Sequence, residues 1–256
     1  MIDTHCHLDS LALEDLSSYV KGEVSSAGIE KLITIAVSPE NLETVIQLSN
    51  DLPHVYCSQG IHPHDAQKFN KNVLKQIKDN ALQYPKNVLA IGEIGLDYHY
   101  NFSSPTEQRF AFEEQLKLAE TLNLPIIIHS RNADEEMIDF LRQYGPKLKR
   151  KGVLHRSSSS LELARVAIEE GFYLGFNGMI TFKKADDVRE ALLLTPLEKI
   201  LLETDAPYLT PHPHRGKKNG PHYLPLICQK AAEILNLSSE QLEKQTNQNA
   251  QNLFNF

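Results

Sequence analysis

The chain contains 256 residues, of which 41% are hydrophobic and 23% are charged, and its formal net charge is −7. This length fits one large α/β domain, so residues 1–256 are expected to fold as a single domain. The acidic balance argues against a protein that coats nucleic acid with a broadly basic surface, and any attraction for phosphodiesters must therefore be local.

Three features favour a cytoplasmic protein that contacts no membrane. The apolar runs are shorter than the roughly 18 residues of a membrane-spanning helix. The first residues lack the basic region followed by an apolar one that marks a secretory leader. Cys6, Cys57 and Cys228 are odd in number and scattered, which is typical of a reducing compartment. No segment of the sequence indicates an obligate protein partner.

Short β-rich runs alternate with segments of helical periodicity along the chain. The runs cover residues 2–8, 31–37, 55–61, 88–95, 124–129, 152–155, 172–176 and 199–204. The helical segments include residues 41–51, 106–122, 135–144, 160–170 and 186–194. A Pro-, His- and Gly-rich segment at 207–225 reads as a long functional loop, and helices at 224–235 and 239–253 close the chain.

Strict alternation of strands and helices predicts βα units around a parallel sheet. Eight such units in about 250 residues predict a (β/α)8 TIM barrel. A doubly wound open sheet is the alternative that the same pattern leaves open.

Histidines and carboxylates fall near the ends of these runs, where a barrel forms its active site. His5 and His7 close the first run, and alternate residues of a strand face the same side, so both imidazoles can reach one point. The His-x-His spacing alone is weak, because residues 62–64 and 212–214 repeat it. A solvated or core histidine pair is the competing interpretation.

The fourth, fifth and sixth runs add three further candidates. Glu93 lies between apolar residues, and a buried carboxylate there must be paired or bound to a metal. Its two oxygens can join two cations, although a buried salt bridge is the alternative. His129 and His155 each follow an apolar run. Each alone is an ordinary hydrogen-bonded rim residue, but together with Glu93 they predict metal ligands.

The eighth run ends at Asp205, directly before Ala206 and Pro207. An acidic residue at this position can bind a metal and take a proton from a water molecule. Glu203 faces the same way, one layer deeper, and we expect it to orient a ligating imidazole.

Several motifs together resemble the TatD family of metal-dependent deoxyribonucleases, in unbroken order from the first residue to the last. They are DTHCHLD at 3–9, GIHPH at 60–64, GEIGLDY at 92–98, HSR at 129–131, GFNG at 175–178, ETDAPYL at 203–209 and HRGKKN at 214–219. The resemblance implies a metallo-dependent hydrolase barrel of the amidohydrolase type that cleaves DNA phosphodiesters, at single strands or strand ends.

The resemblance also implies two divalent metal ions and a distribution of their ligands. One ion would be held by His5, His7, Glu93 and Asp205, and the other by Glu93, His129 and His155. His62 would contact the substrate. The resemblance links the family to Mg²⁺, whereas four imidazoles favour Zn²⁺ or Mn²⁺ because Mg²⁺ prefers oxygen ligands.

The catalytic residues expected from this scheme are Asp205, which accepts a proton from the attacking water, and Glu93. Arg131, Arg215 and Lys217, together with His62, are candidates to hold phosphate oxygens. Ordinary solvated loop charge is the alternative interpretation of the three cations.

Two departures from the family pattern leave rival functions open. Where the family usually has His-Cys-Phe-Ser-Gly, this chain has His155 followed by Arg-Ser-Ser-Ser at 156–159, and Gly220 replaces a glutamate before Pro221. One rival is a hydrolase of the same superfamily that attacks an amide, a lactone or an aminoacyl ester. The other is a binding protein that has lost its chemistry.

Overall fold

The computed structural model of the chain describes residues 1–100, 102–155 and 160–256. Parallel strands follow one another around a barrel in sequence order. The strands are β1 (Ile2–Cys6), β2 (Lys31–Thr34), β3 (Val55–Gln59), β4 (Val88–Asp97), β5 (Ile126–Arg131), β6 (Gly152–Leu154), β7 (Tyr173–Phe176) and β8 (Ile200–Leu202). The predicted (β/α)8 barrel is confirmed, because a doubly wound sheet would reverse its strand order.

Helices connect these strands on the outside of the barrel. They are α1 (Leu16–Tyr19), α2 (Leu42–Asp51), α3 (Lys71–Gln83), α4 (Pro105–Leu122), α5 (Asp134–Tyr144), α6 (Leu161–Glu169), α7 (Asp186–Leu194), α8 (Leu224–Leu235) and α9 (Ser239–Phe254). The sequence analysis did not predict α3. Its buried residues Val73, Ile77 and Ala81 lie four apart in a segment that is mostly polar, so they form no continuous apolar run.

The apolar residues form an inner and an outer cluster on the two faces of the strands. The inner cluster includes Ile33, Ile127 and Leu201, and Leu253 and Phe254 of α9 pack against it. The larger cluster joins the strands to the surrounding helices. Strands buried on both faces are the reason that β4 and β5 read as nearly continuous apolar runs. The residues of α9 therefore pack at one end of the barrel, and the polar side chains described below lie at the other end.

The barrel is closed between β8 and β1 by a seam of hydrogen bonds. The Asp205 N–H donates to the His5 carbonyl at 2.9 Å, and the His7 N–H donates to the Ala206 carbonyl at 2.7 Å. The buried carboxylate of Asp3 accepts the Thr204 N–H at 2.9 Å and the Thr204 hydroxyl at 2.6 Å. The first and last strands are thereby held in one register.

None of the helices in the described ranges is both long enough and apolar enough to cross a membrane.

Replacing Asp3 by alanine is expected to lower the free energy of unfolding by about 2–4 kcal/mol. Two buried donors of Thr204 would lose their acceptor, and each unsatisfied buried group is unfavourable by about 1–3 kcal/mol. Urea denaturation of the variant measures the loss. Asp139→Ala, at an exposed position of α5, serves as the control and should change stability by less than about 0.5 kcal/mol. Equal stability of the two variants would contradict a structural role for the seam.

Candidate metal centre and active site

Six side chains predicted as metal ligands meet at the C-terminal mouth of the barrel. His5, Glu93 and His129 lie on β1, β4 and β5, while His7, His155 and Asp205 lie just beyond the ends of β1, β6 and β8. All six are buried. The structure therefore brings together residues up to 200 positions apart in sequence, and their individual roles stay predictions.

The first donor group has the spacing of a metal site. The His5 Nε2 atom lies 3.3 Å from His7 Nε2, 3.4 Å from Glu93 Oε2 and 3.7 Å from Asp205 Oδ1. The His7 Nε2 atom lies 3.5 Å from Asp205 Oδ1. Ligands bound at about 2.1 Å in a tetrahedron are separated by about 3.4 Å, so these four residues fit a divalent ion.

The second donor group surrounds the other oxygen of Glu93. Its Oε1 atom lies 2.9 Å from His129 Nδ1, 3.6 Å from His62 Nε2 and 3.8 Å from His155 Nε2. Atoms of His62, Glu93 and His129 all lie within 4.8 Å of one another, as do those of His5, His7 and Glu93. Glu93 therefore presents one oxygen to each of two groups of imidazoles.

Irregularities in two strands aim these side chains. In β4, the register with β5 slips between Ile91 and Ile94, so a bulge containing Glu93 is inserted four residues before the end of the strand. In β1, the register with β2 slips between Asp3 and Cys6, a stretch that contains His5. An extra residue in a strand redirects the side chain it carries. Glu93 thus lies inside β4 rather than at its end, where it was predicted.

His155 is oriented from beneath by Glu203. Its Nδ1 atom lies 2.7 Å from Glu203 Oε1, which leaves Nε2 directed at Glu93 and Asp205. Asn177 donates to the same Glu203 oxygen at 3.3 Å. At Gly175 a β-carbon would lie 2.3 Å from Glu203 Oε2, so only glycine leaves room for this carboxylate. Glu203 therefore contacts the imidazole of His155, a predicted ligand, from the deeper layer where it was expected.

Asp205 reaches the site from a turn that follows β8. Its backbone φ is +57°, a left-handed conformation that aspartate tolerates better than most residues. The turn is held because the Tyr208 N–H donates to the Asp205 carbonyl at 2.8 Å and the Asp205 N–H belongs to the barrel seam.

The electrostatics of the cluster favour a cation. Burial opposes the charged form of every member, yet the neighbouring histidines hold the pKa of Glu93 well below its usual value. Neighbouring histidines also lower the pKa of Asp205 to about 2. Burial likewise opposes the imidazolium of His155, but Glu203, Asp205 and Glu93 outweigh it and raise the pKa to about 9. The carboxylates therefore create a negative potential that stabilises positive charge at this point.

Asp97 is a site residue that the sequence analysis did not single out. Its Oδ2 atom lies 3.0 Å from His129 Nε2 and 2.9 Å from His64 Nε2. Burial opposes its charge, but the hydrogen bonds with these two histidines hold its pKa well below the usual range. Its position four residues after Glu93 in the same strand was the available signal, since such residues share a face.

The predicted substrate-binding residues lie at different depths. His62 is buried beside Glu93, and Arg131 lines the open cavity of about 610 Å³ above the donor groups. Arg215 is exposed, with its guanidinium 3.8 Å from the Phe182 ring and one N–H bonded to the Thr210 carbonyl. Lys217 is also exposed in this loop. Neither is among the described residues that line the cavity. The atypical segment 156–159 lies outside the described residues.

A barrel whose mouth collects buried imidazoles and carboxylates at metal-ligand spacing is typical of metal-dependent hydrolases. The profile described as TatD related DNase matches residues 2–255. The chain belongs to the TatD family of metal-dependent hydrolases.

Curated relatives and solved structures agree with this assignment. The uncharacterized metal-dependent hydrolase YabD of Bacillus subtilis is 34% identical and covers 99% of this chain and 98% of its own. The uncharacterized metal-dependent hydrolase TatD of Mycobacterium tuberculosis is 33% identical, with 99% and 97% covered. The crystal structure of YjjV, a TatD homologue from Escherichia coli, matches with a TM-score of 0.92 and 31% identity. The match covers 100% of this chain and 98% of YjjV.

Glu203→Gln is expected to weaken metal binding by about 10- to 100-fold, the usual effect of removing a carboxylate that orients a ligating histidine. Isothermal titration calorimetry of the metal-free protein with Zn²⁺ or Mn²⁺ measures the change in metal affinity. Glu198→Gln, an exposed glutamate before β8, is the matched control and should bind as the unmodified chain does. An unchanged affinity for Glu203→Gln would show that His155 needs no such support.

Proposed function

We propose that the chain is a deoxyribonuclease that hydrolyses DNA phosphodiester bonds with two divalent metal ions. The observation that carries this proposal is Glu93, whose two oxygens face two separate groups of imidazoles beneath one open cavity. A carboxylate between two cations is a common arrangement in enzymes that cleave phosphate esters.

In this proposal the donor residues are divided between two ions in the way that the family resemblance implies. His5, His7 and Asp205 complete one group with Glu93, and His129 and His155 complete the other. His62 also lies within reach of the second group, at 3.6 Å from Glu93 Oε1. We assign His62 to the substrate, as the family resemblance implies, and its imidazole lines the cavity together with the donor residues His7, Glu93 and His129.

Bound divalent ions would supply polarisation of the phosphate and a lowered pKa of water. The chain's own residues do the remaining work. The Asp205 carboxylate, ionised at neutral pH because its pKa is about 2, orients the attacking water and accepts its proton. His62 and Arg131 contact phosphate oxygens from the cavity wall, and the exposed Arg215 and Lys217 contact phosphates farther along the strand.

Ligand chemistry favours Zn²⁺ or Mn²⁺ as the ions that bind most tightly, with Mg²⁺ as a weaker activator. The proposal places the enzyme in the cytoplasm, where its three buried, free thiols remain reduced.

A panel of substrates tests the reaction class. Single-stranded DNA, duplex DNA and RNA oligonucleotides are incubated with Mg²⁺, Mn²⁺ or Zn²⁺, beside an aminoacyl ester, a lactone and a cyclic amide. We expect phosphodiester cleavage with at least one ion. Turnover of the ester, lactone or amide alone would overturn the proposal in favour of a small-molecule hydrolase. In that superfamily many sites use a fourth-strand lysine, and β4 of this chain contains none.

Glu93→Ala and Asp205→Asn are each expected to reduce hydrolysis at least about 1,000-fold, but only Glu93→Ala should empty both metal sites. Metal analysis after dialysis should give two ions per chain for the unmodified protein and at least one for Asp205→Asn.

Glu93→Gln serves as a second variant if the alanine substitution unfolds the chain, which circular dichroism would reveal. Glu135→Ala, exposed on α5, is the control and should keep both metal and activity. Two retained ions and full turnover in a folded Glu93 variant would refute the shared carboxylate.

A further inference from the structure

Exposed aromatic side chains border the same cavity as the buried donor groups. Tyr100 is 40% exposed, Phe102 is 57% exposed and Tyr208 is 56% exposed. All three line the cavity above Glu93 and Asp205. Large apolar rings that remain in contact with water beside a polar site indicate a surface that binds a flat ligand.

The three rings form two platforms. The first consists of Tyr100 and Phe102, whose rings are stacked with centroids 5.4 Å apart and an interplanar angle of 23°. The ring of His64 packs edge-on against both, at 5.3 and 4.9 Å. The second platform is Tyr208, whose ring lies 5.8 Å from that of His7. The platforms are therefore anchored to side chains that belong to the floor of the site.

The two platforms stand on opposite sides of the mouth. The first follows β4 and the second follows β8, and in this barrel of eight strands β4 and β8 are four strands apart in either direction. Opposite positions on the rim place the donor groups between the two platforms. Because Glu93 lines the same cavity, a ligand that contacted both platforms would lie near the donor groups.

A cationic side chain lies beside the first platform and can pair with a phosphate. The Arg131 guanidinium lies 4.8 Å from the centre of the Tyr100 ring, so a cation and an aromatic surface are presented together. The chain as a whole carries a net charge of −7, so long-range attraction for a polyanion is absent and affinity must arise inside the cavity. Stacking on aromatic rings provides such affinity without a basic surface.

We propose that the two platforms are base-stacking subsites that hold the nucleobases on either side of the scissile phosphate of an unpaired strand. This inference rests on the proposed nuclease function and adds to it the groups that select the substrate. In a duplex, successive bases stack on one another about 3.4 Å apart and cannot turn to opposite walls of a cavity. An unpaired strand can splay its bases in this way.

The test compares oligonucleotides that differ only in whether one base is present. Single-stranded substrates carry an abasic residue on one side of the scissile phosphate, on the other side, or on neither. We expect Phe102→Ala to lower kcat/KM about 5- to 100-fold for the complete strand, because stacking of one base contributes about 1–3 kcal/mol and each 1.4 kcal/mol is tenfold. The same variant should act like the unmodified enzyme on one of the two abasic strands. Tyr208→Ala should show this pattern with the other abasic strand.

Matched variants separate stacking from general damage. Phe102→Tyr and Tyr208→Phe restore an aromatic ring and should recover most of the activity on complete strands that the alanine variants lose. Phe110→Ala removes a ring that is 54% exposed on α4 and is not among the described residues lining the cavity, so it should change nothing. An equal loss on complete and abasic strands, or no preference of the unmodified enzyme for complete strands, would overturn the proposal.

A binding measurement distinguishes failure of the platforms from failure of the nuclease assignment. A trinucleotide containing the fluorescent base 2-aminopurine is added to the Asp205→Asn protein, and stacking is followed as quenching. Quenching that disappears with Phe102→Ala supports the platforms even if no phosphodiester is cleaved. If the unmodified enzyme cleaves DNA but neither alanine variant changes the quenching, the nuclease proposal stands and the proposal of base-stacking subsites is refuted.

Discussion

The hydrogen-bonded seam between β8 and β1 is the constraint on which the site depends. It joins the backbone of Asp205 to that of His5, and Asp3 secures the adjacent Thr204. Histidines from the first strand can meet an aspartate from the last only if the sheet closes on itself. The closure therefore serves both stability, by satisfying the edges of the sheet, and chemistry, by completing the first donor group.

A buried carboxylate organises the other half of the site. Glu93 is held in the charged form by histidines from four other strands, which would be unfavourable without them. The negative charge of Glu93 stabilises these imidazoles, and it would also stabilise a bound cation. Carboxylates and imidazoles of the candidate site thus meet in one cavity, while the chain as a whole carries a net charge of −7.

Much of this arrangement followed from local patterns in the sequence. The alternation of apolar runs and helical segments predicted the barrel, and the two-residue spacing of His5 and His7 predicted that both imidazoles face one point, which their 3.3 Å separation confirms. The position of Glu203 below His155 also followed from strand periodicity. The bulge that contains Glu93 could not be predicted from the sequence, because a slip of register depends on the pairing of two strands and not on either one alone.

By itself the sequence predicted the strand order and, apart from Glu93, the placement of the candidate donor residues near strand ends, because these follow from the alternation of apolar and helical segments and from burial. Only the tertiary structure decided which oxygen of Glu93 faces which histidines, that Asp97 links His129 to His64, and that exposed aromatic side chains from two loops line the same cavity. These relations join side chains carried by different strands and loops. Their geometry is created by closing the barrel, and no segment of the chain encodes it locally.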